Sequence, residues 1–406
     1  MLGTGTTWQP ATSAERYRTI DIVRGLALFG VLMVNLLTVF RVPLLEHIFS
    51  PHTDSSRVNH LVDLLSAGAL EFKALTIFSF LFGVGIAIQI ERAESRSVNV
   101  RAFLVRRLTW LFVFGIVHLF LVWDGDILTL YAISGLLLLP CLDLPWLALL
   151  AIGLVSIVLP EFISFRLALP SGNTAAAQIA EARQIYGNGG YLEILRFRWH
   201  ECWSLILPLL LDILPRTIGL MYWGMAAWRS GILREPERHR GLLAVTLALG
   251  GGVGVILTMN ELWAMSSGQA LWPALEALND AAPILLAAAY VSGLLIGLTT
   301  TRRSFPLPGI AAAGQMALTN YLLQSVVLGF IFYGYGFDLF GRVGSAAAAC
   351  IGLLLYAAQV QLSRLWLRHF RFGPFEWLWR SLSYSNRQSF LRIQKASRPI
   401  RSQQEP

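Results

Sequence analysis

What constrains this chain most is the recurrence of apolar runs as long as a bilayer is thick. Between residues 20 and 40 the only charged side chains are Asp21 and Arg24, and a hydrocarbon core of about 30 Å takes roughly 17–25 helical residues to cross. Further runs fall near 70–90, 108–123, 127–141, 145–160, 203–228, 242–264, 281–301, 309–333 and 343–366. Lipid offers the backbone no hydrogen bonds, so each run must satisfy its own amides as a helix. The expectation is an all-α polytopic transmembrane bundle of about ten spans, an even number that puts both termini on one side. The runs at 127–141 and 145–160 are short and separated only by residues 142–144, so a re-entrant pair is the alternative there.

Composition narrows the class further. Hydrophobic residues make up 55% of the 406 and charged residues 14%, with a mean hydropathy of +0.58, whereas soluble domains run about 45–50% apolar and about 25% charged. A soluble enzyme, a disordered chain and a fibrous repeat are excluded, and the runs lack the alternation of a porin strand. The net charge of +8 would suggest nucleic acid in a soluble protein, but here the basic residues gather between apolar runs, so no nucleic-acid partner is expected. Counted by side, 22 Lys and Arg fall on the N-terminal side of the runs and 7 on the other. The positive-inside rule then makes both termini cytoplasmic. Cys141, Cys202 and Cys350 are too scattered for a disulfide framework or a zinc site, and no metal is expected.

Residues 1–18 lack the short hydrophobic core and small-residue cleavage site of a signal peptide, so the first helix reads as a retained anchor. The organisation expected is a cytoplasmic segment over 1–18, the bundle over 19–369, and a basic cytoplasmic tail over 370–406 lying at the membrane interface. The long segments 41–69 and 161–202 mix apolar and polar residues as short surface helices do, and could roof a cavity.

Ionisable groups inside spans cost at least about 2.5 kcal/mol at the bilayer centre and are functional candidates by default. In the first helix Asp21, Arg24 and Asn35 fall within about 60° of one another at 100° per residue. They form one stripe, charged at its inner end and polar roughly 16 Å further out. The third run carries His118 about one and a half turns before its outer end, followed by Asp124 and Asp126 around Gly125; a carboxylate beside an imidazole fixes its tautomer and suits it to act as a general base. Lys73 opens the second run in the same outer layer. Asp212 and Arg216 lie one turn apart beside Pro208 and Pro215, and Asn320 and Gln324 one turn apart in the ninth run. Together these imply a polar cavity, with Arg216, Asp212, Asn320 and Gln324 lining it. No internal repeat suggests the inverted halves of a transporter.

Across almost its whole length the chain resembles the YeiB-like (DUF418) family of bacterial multi-pass membrane proteins. The stretches that carry this are IDIVRGLALFGVLMVNLL at 20–37, FKALTIFSFLFGVGIAIQ at 72–89, HLFLVWDGDILTLYA at 118–132, GLMYWGMAAWRSGIL at 219–233, GQMALTNYLLQS at 314–325 and GPFEWLWRSLSY at 373–384. A weaker resemblance extends to the transmembrane acyltransferase superfamily. In its acyltransferase-3 branch a first-helix Arg is followed, after ten intervening residues, by a catalytic His; here Arg24 is followed at that spacing by Asn35. The heparan-α-glucosaminide N-acetyltransferase branch is similar in having RG and a later Asn, with its essential His beyond. The nearest here is His47, then His52 and His60, none within a matching motif, which leaves His118 as the candidate.

The resemblance implies an acyltransferase of the bacterial cytoplasmic (inner) membrane that moves an acyl group, most simply acetyl, from cytosolic acyl-CoA to an extracytoplasmic acceptor. Arg24 with Asp21, Arg106 and Arg107 would hold the CoA phosphates; His118 would act as base, oriented by Asp124 or Asp126, with Asn35 and Lys73 stabilising the oxyanion. The partners expected are membrane lipid and a glycan, lipid or small-molecule acceptor, with a homodimer allowed for. The alternative is a transporter of a small anion or lipid-linked solute, with Arg24, Lys73 and Arg216 as counter-charges along its path.

Overall fold

In the computed structural model, residues 17–49, 56–96, 98–162, 172–267, 269, 271–300 and 307–392 are described. His52 and the tail beyond residue 392 lie outside them. The chain is all helical: among the described residues the only extended pairing is one bridge between Phe370 and Leu391. In order come α1 (Arg18–Asn35), α2 (Leu44–Phe49), α3 (Arg57–Ala69), α4 (Lys73–Glu94), α5 (Val100–Val117), α6 (Leu128–Leu138), α7 (Trp146–Phe162), α8 (Gly172–Asn188), α9 (Tyr191–Glu201) and α10 (Leu207–Arg229). The second half holds α11 (Arg240–Val245), α12 (Gly251–Ser267), α13 (Ala282–Thr300), α14 (Leu307–Gln315), α15 (Ala317–Phe332), α16 (Ser345–His369) and α17 (Pro374–Ser383).

Among the described residues, seven helical stretches are long and apolar enough to cross a membrane, and α14 with α15 would make an eighth if that pair, bent by 84° at Met316, is one span. The helices over Leu128–Cys141 and Trp146–Pro160, where two of the ten expected runs fall, are apolar but shorter. The long connections hold α2 and α3 on one side of the sequence and α8 and α9 on the other.

α1 is the axis of the bundle, since two thirds (67%) of its apolar window is buried against 28% to 50% in the other long stretches. Small residues let the neighbours approach it and each other. A Cβ on Gly314 would fall 1.9 Å from the carbonyl oxygen of Asp21, and one on Gly83 of α4 would fall 1.9 Å from that of Met221 in α10. Both contacts are backbone against side-chain-free backbone, so no larger residue fits without moving a helix. The first of them sets the break between α14 and α15 directly beside the Asp21–Arg24 turn of α1.

Candidate functional site

A cavity of about 260 Å³ opens at the end of the bundle where α1 begins. Its mouth carries Arg24, Arg92, Arg96, Arg107 and Arg380, with Asp21 and Glu376 the carboxylates on the wall. Deeper in, the lining turns apolar, through Phe78, Phe82, Leu108 and Leu111 of α4 and α5, and reaches Tyr131 and Tyr321. Arg24 Nη1 donates to Asp21 Oδ1 at 3.2 Å. The Arg107 guanidinium lies flat over Trp379, 3.5 Å from the ring centroid, and the Trp379 indole donates back to the Arg107 carbonyl at 2.9 Å. Arg380 and Arg24 are among the charged neighbours of Arg107, so like charges gather in one place, which is the arrangement of an anion site.

α17 supplies much of this wall because its own packing demands it. Pro374 fixes the first turn, and the Glu376 carboxylate caps the start of α15, accepting from Thr319 N at 3.0 Å and Thr319 Oγ1 at 2.5 Å. A carboxylate suits a helix N-terminus. Burial nevertheless holds the Glu376 carboxyl above its ordinary range, with the Thr319 hydrogen bonds pulling the other way. Burial also lowers Arg380, helped by Arg92 and Arg24 and opposed by Tyr384 and Glu376.

Behind Tyr321 sits His118, 1% exposed, its ring centroid 5.2 Å from the Tyr321 ring. It opens a π-helical turn, His118–Val122, that ends α5; such turns are frequent at functional sites. His118 Nδ1 is 2.9 Å from Asp126 Oδ1, and Asp126 Oδ2 accepts from Thr129 N at 2.6 Å, which anchors the carboxylate at the start of α6. With Nδ1–H directed at Asp126, the tautomer assigned by this contact leaves Nε2 as the basic atom. That atom is buried and has no partner. Tyr321 separates the two compartments: its hydroxyl donates to Gly125 O at 3.2 Å and accepts from Ile127 N at 3.2 Å.

The remaining candidates fall in other places. Asp124 is not on His118; its Oδ2 accepts from the Tyr186 hydroxyl at 3.1 Å. Lys73 is 2% exposed at the corner between α3 and α4, with Nζ on Ala67 O at 2.8 Å and Glu261, Glu71 and Arg216 as charged neighbours. Its contacts are to a different group from those of His118. His47 Nε2 faces Glu71 Oε1 at 3.4 Å in that same group, and Arg216 Nη2 donates to Asp280 O at 3.3 Å, while Asp212 is exposed. Asn35 is half-buried at the end of α1. Asn320 and Gln324 turn toward α16: Asn320 Nδ2 donates to Ser363 Oγ at 2.9 Å and Gln324 Nε2 to Gln359 Oε1 at 2.8 Å. They join helices and are not on the wall of the cavity. Arg106 is drawn off by the Ser383 carbonyl, so of the paired arginines only Arg107 reaches the cavity. Among the described residues no group of three or more His, Cys, Asp or Glu side chains is placed to hold a metal ion.

Sequence reasoning missed Arg92, Arg96, Glu376, Trp379, Arg380 and Tyr321 as site residues. A signal existed: the stretch GPFEWLWRSLSY holds three of them, and an acidic residue directly before a tryptophan at the start of a mostly basic tail is a poor lipid anchor.

Fold and cavity together define an all-helical, multi-pass membrane protein built around an arginine-mouthed pocket. The chain belongs to the YeiB-like family described as protein of unknown function DUF418, whose model matches residues 227–386. That match begins at the end of α10 and runs through α17, so it includes the α15 and α17 walls of the cavity. The chain is 34% identical to Uncharacterized protein YxaH of Bacillus subtilis (strain 168), over 93% of this chain and 96% of that protein. It is 29% identical to Uncharacterized protein YeiB of Escherichia coli (strain K12), over 91% and 96%, and 27% identical to an uncharacterized 39.9 kDa protein of Bacillus acidopullulyticus, over 93% and 96%.

Proposed function

We propose that this protein is an acyltransferase of the bacterial cytoplasmic membrane, with both termini and the arginine mouth in the cytoplasm, that passes an acyl group from a cytosolic CoA thioester to an acceptor on the opposite side. The observation that carries this reading is the cavity's gradient from an arginine mouth to an apolar throat, closed by Tyr321 with the His118–Asp126 pair behind it. An anionic amphiphile fits that gradient. Arg24, Arg107 and Arg380 bind its phosphates by charge-assisted hydrogen bonds, and the throat takes its uncharged arm and acyl end out of water. His118 Nε2, held in the basic tautomer by Asp126, takes the acceptor's proton. The excess of Lys and Arg on the N-terminal side supports the orientation.

The test uses the purified full chain in lipid nanodiscs with CoA and acetyl-CoA as probes. Both should bind saturably, binding should weaken with salt, and Arg107→Ala should weaken it further. Failure to bind either probe, together with no thioester cleavage in the presence of hydroxyl or amine acceptors, would sink the reading. The 84° break at Met316 favours the transporter as second reading, because broken helices line transport sites. Proteoliposomes that accumulate an anion without covalent change would favour it over the enzyme.

A further inference from the structure

Helix α4 carries two glycines with opposite surroundings. Gly83 is fixed by packing, since a Cβ there would strike the Met221 carbonyl of α10. Gly85 has no such reason: a Cβ built on it meets nothing within 4 Å, and it stands on the wall of the arginine-mouthed cavity. A glycine in mid-helix costs stability relative to alanine, so one placed where a methyl group would fit leaves spare width in the throat. That width lies on a stripe. Phe78, Phe82, Gly85, Gln89 and Arg92 of α4 all line the cavity, and at 100° per residue they fall within about 80° of one another. At 1.5 Å per residue they follow the cavity for about 21 Å, from its apolar end to its mouth.

Gln89, one turn inward from Arg92, is the polar side chain on that stripe between the arginine and the aromatic end. Its Nε2 donates to Gly85 O at 3.0 Å, which fixes the end of the amide that is oxygen. Oε1 is buried and has no partner. Buried polar atoms are almost always paired, and an amide oxygen only accepts. A ligand in the throat therefore has to bring an N–H or O–H to a point about 4.5 Å along the helix from Arg92. This sorts the anions that the mouth can hold. A lipid phosphate puts hydrocarbon there and leaves Oε1 unpaired, at a cost. The arm of a CoA-type molecule, with a hydroxyl and secondary amides strung along it, brings donors and can lie against the helix backbone where Gly85 has no side chain.

We infer that Gly85 and Gln89 form a subsite for the ligand's arm, and that the ligand of the cavity is an anion with an amide-bearing arm of the pantetheine type and not a lipid phosphate. Gln89 Oε1 accepts an N–H of the arm, which crosses α4 over Gly85 on its way to Tyr321. Calling this the arm of an acyl donor rests on the acyltransferase reading; the subsite itself does not.

The experiment measures equilibrium binding to the full chain in nanodiscs with three probes: CoA, adenosine 3′,5′-bisphosphate, which has phosphates but no arm, and decyl diphosphate, whose arm is hydrocarbon. CoA should bind roughly 10-fold or more tightly than either. Gly85→Leu, which fills the throat, should remove that advantage while binding of the bisphosphate persists. Gly85→Ala should leave the thermal midpoint without ligand at or above the wild-type value, as open space at that position requires. Gln89→Leu should weaken CoA roughly 3- to 10-fold and leave decyl diphosphate unchanged. The inference is overturned by any of four results: CoA that does not bind or binds no better than decyl diphosphate, CoA binding untouched by Gly85→Leu, a lowered midpoint in Gly85→Ala, or equal weakening of both arms by Gln89→Leu. If all three probes and the variants behave as expected but acetyl-CoA is never cleaved with any acceptor, the subsite stands and the acyltransferase reading falls.

Discussion

Two polar regions of this bundle solve the problem of charge in a membrane in opposite ways. The arginine mouth concentrates one sign of charge around open space and leaves the imbalance for a ligand to correct. The region around residues 118–126 is closed, uses both signs, and places its groups within fixed contacts: Asp126 on His118, Asp124 on Tyr186. Two aspartates separated by one glycine thus belong to different networks. The comparison teaches that sequence proximity says little about shared chemistry once a turn follows a π-helical segment, whereas an excess of one charge can face a single cavity even when its members come from four helices and a loop.

The comparison can be broken first at His118. Replacing it with Gln should reduce acetyl transfer by about 10²–10⁴-fold while CoA binding persists. Turnover and CoA binding measured side by side check this; normal turnover would reduce His118 to a packed helix residue. At the other region, Arg107→Ala removes a charge and its stack on Trp379, and should weaken CoA binding by roughly 10-fold. It should also flatten the salt dependence, with calorimetry at two ionic strengths as the measurement.

The frame that holds the two regions together is tested by Gly314→Val, which drives a side chain into the Asp21 carbonyl. Overpacking of this kind costs about 1–3 kcal/mol, seen as a lower thermal midpoint together with weakened CoA binding. The smallest effect is expected at Glu376. Its carboxyl is held above the ordinary value near 4.3 mainly by burial, so it stabilises the fold fully below that value and the contribution is lost as pH rises through the raised one. The midpoint should therefore fall as pH climbs from about 4 toward neutrality, and Glu376→Gln should flatten that slope. A variant with the wild-type slope would show that other groups set it.

Much of the helical frame was legible because apolar run length is a direct physical demand of the bilayer, and α1, α4, α10, α12, α13 and α16 fall where long runs predict helices. The break at Met316 was not legible, since its cause is tertiary: small residues in α14 let it lie against α1, and Glu376, 60 residues on, caps the new start of α15. Within the site, Asp21–Arg24 follows from helical spacing, whereas spacing leaves both Asp124 and Asp126 within reach of His118 and only the fold puts Asp126 on it. Asn320 and Gln324 have the same one-turn spacing and yet face α16, because spacing says that two side chains share a stripe and not which neighbour the stripe meets. The tail shows the converse. Read as charge alone, residues 370–384 suggest a lipid-surface segment; read as packing, Trp379 and Glu376 need partners that only the bundle offers.

The return of α17 onto α5 and α15 also bears on biogenesis. At about 5–20 residues per second, α17 leaves the ribosome roughly 20–70 s after α1. Through that interval Arg107 lacks its Trp379 platform and α15 lacks its Glu376 cap, and the pocket has no floor. The pocket is therefore completed in a single late step, with the folding of the ten-residue helix α17.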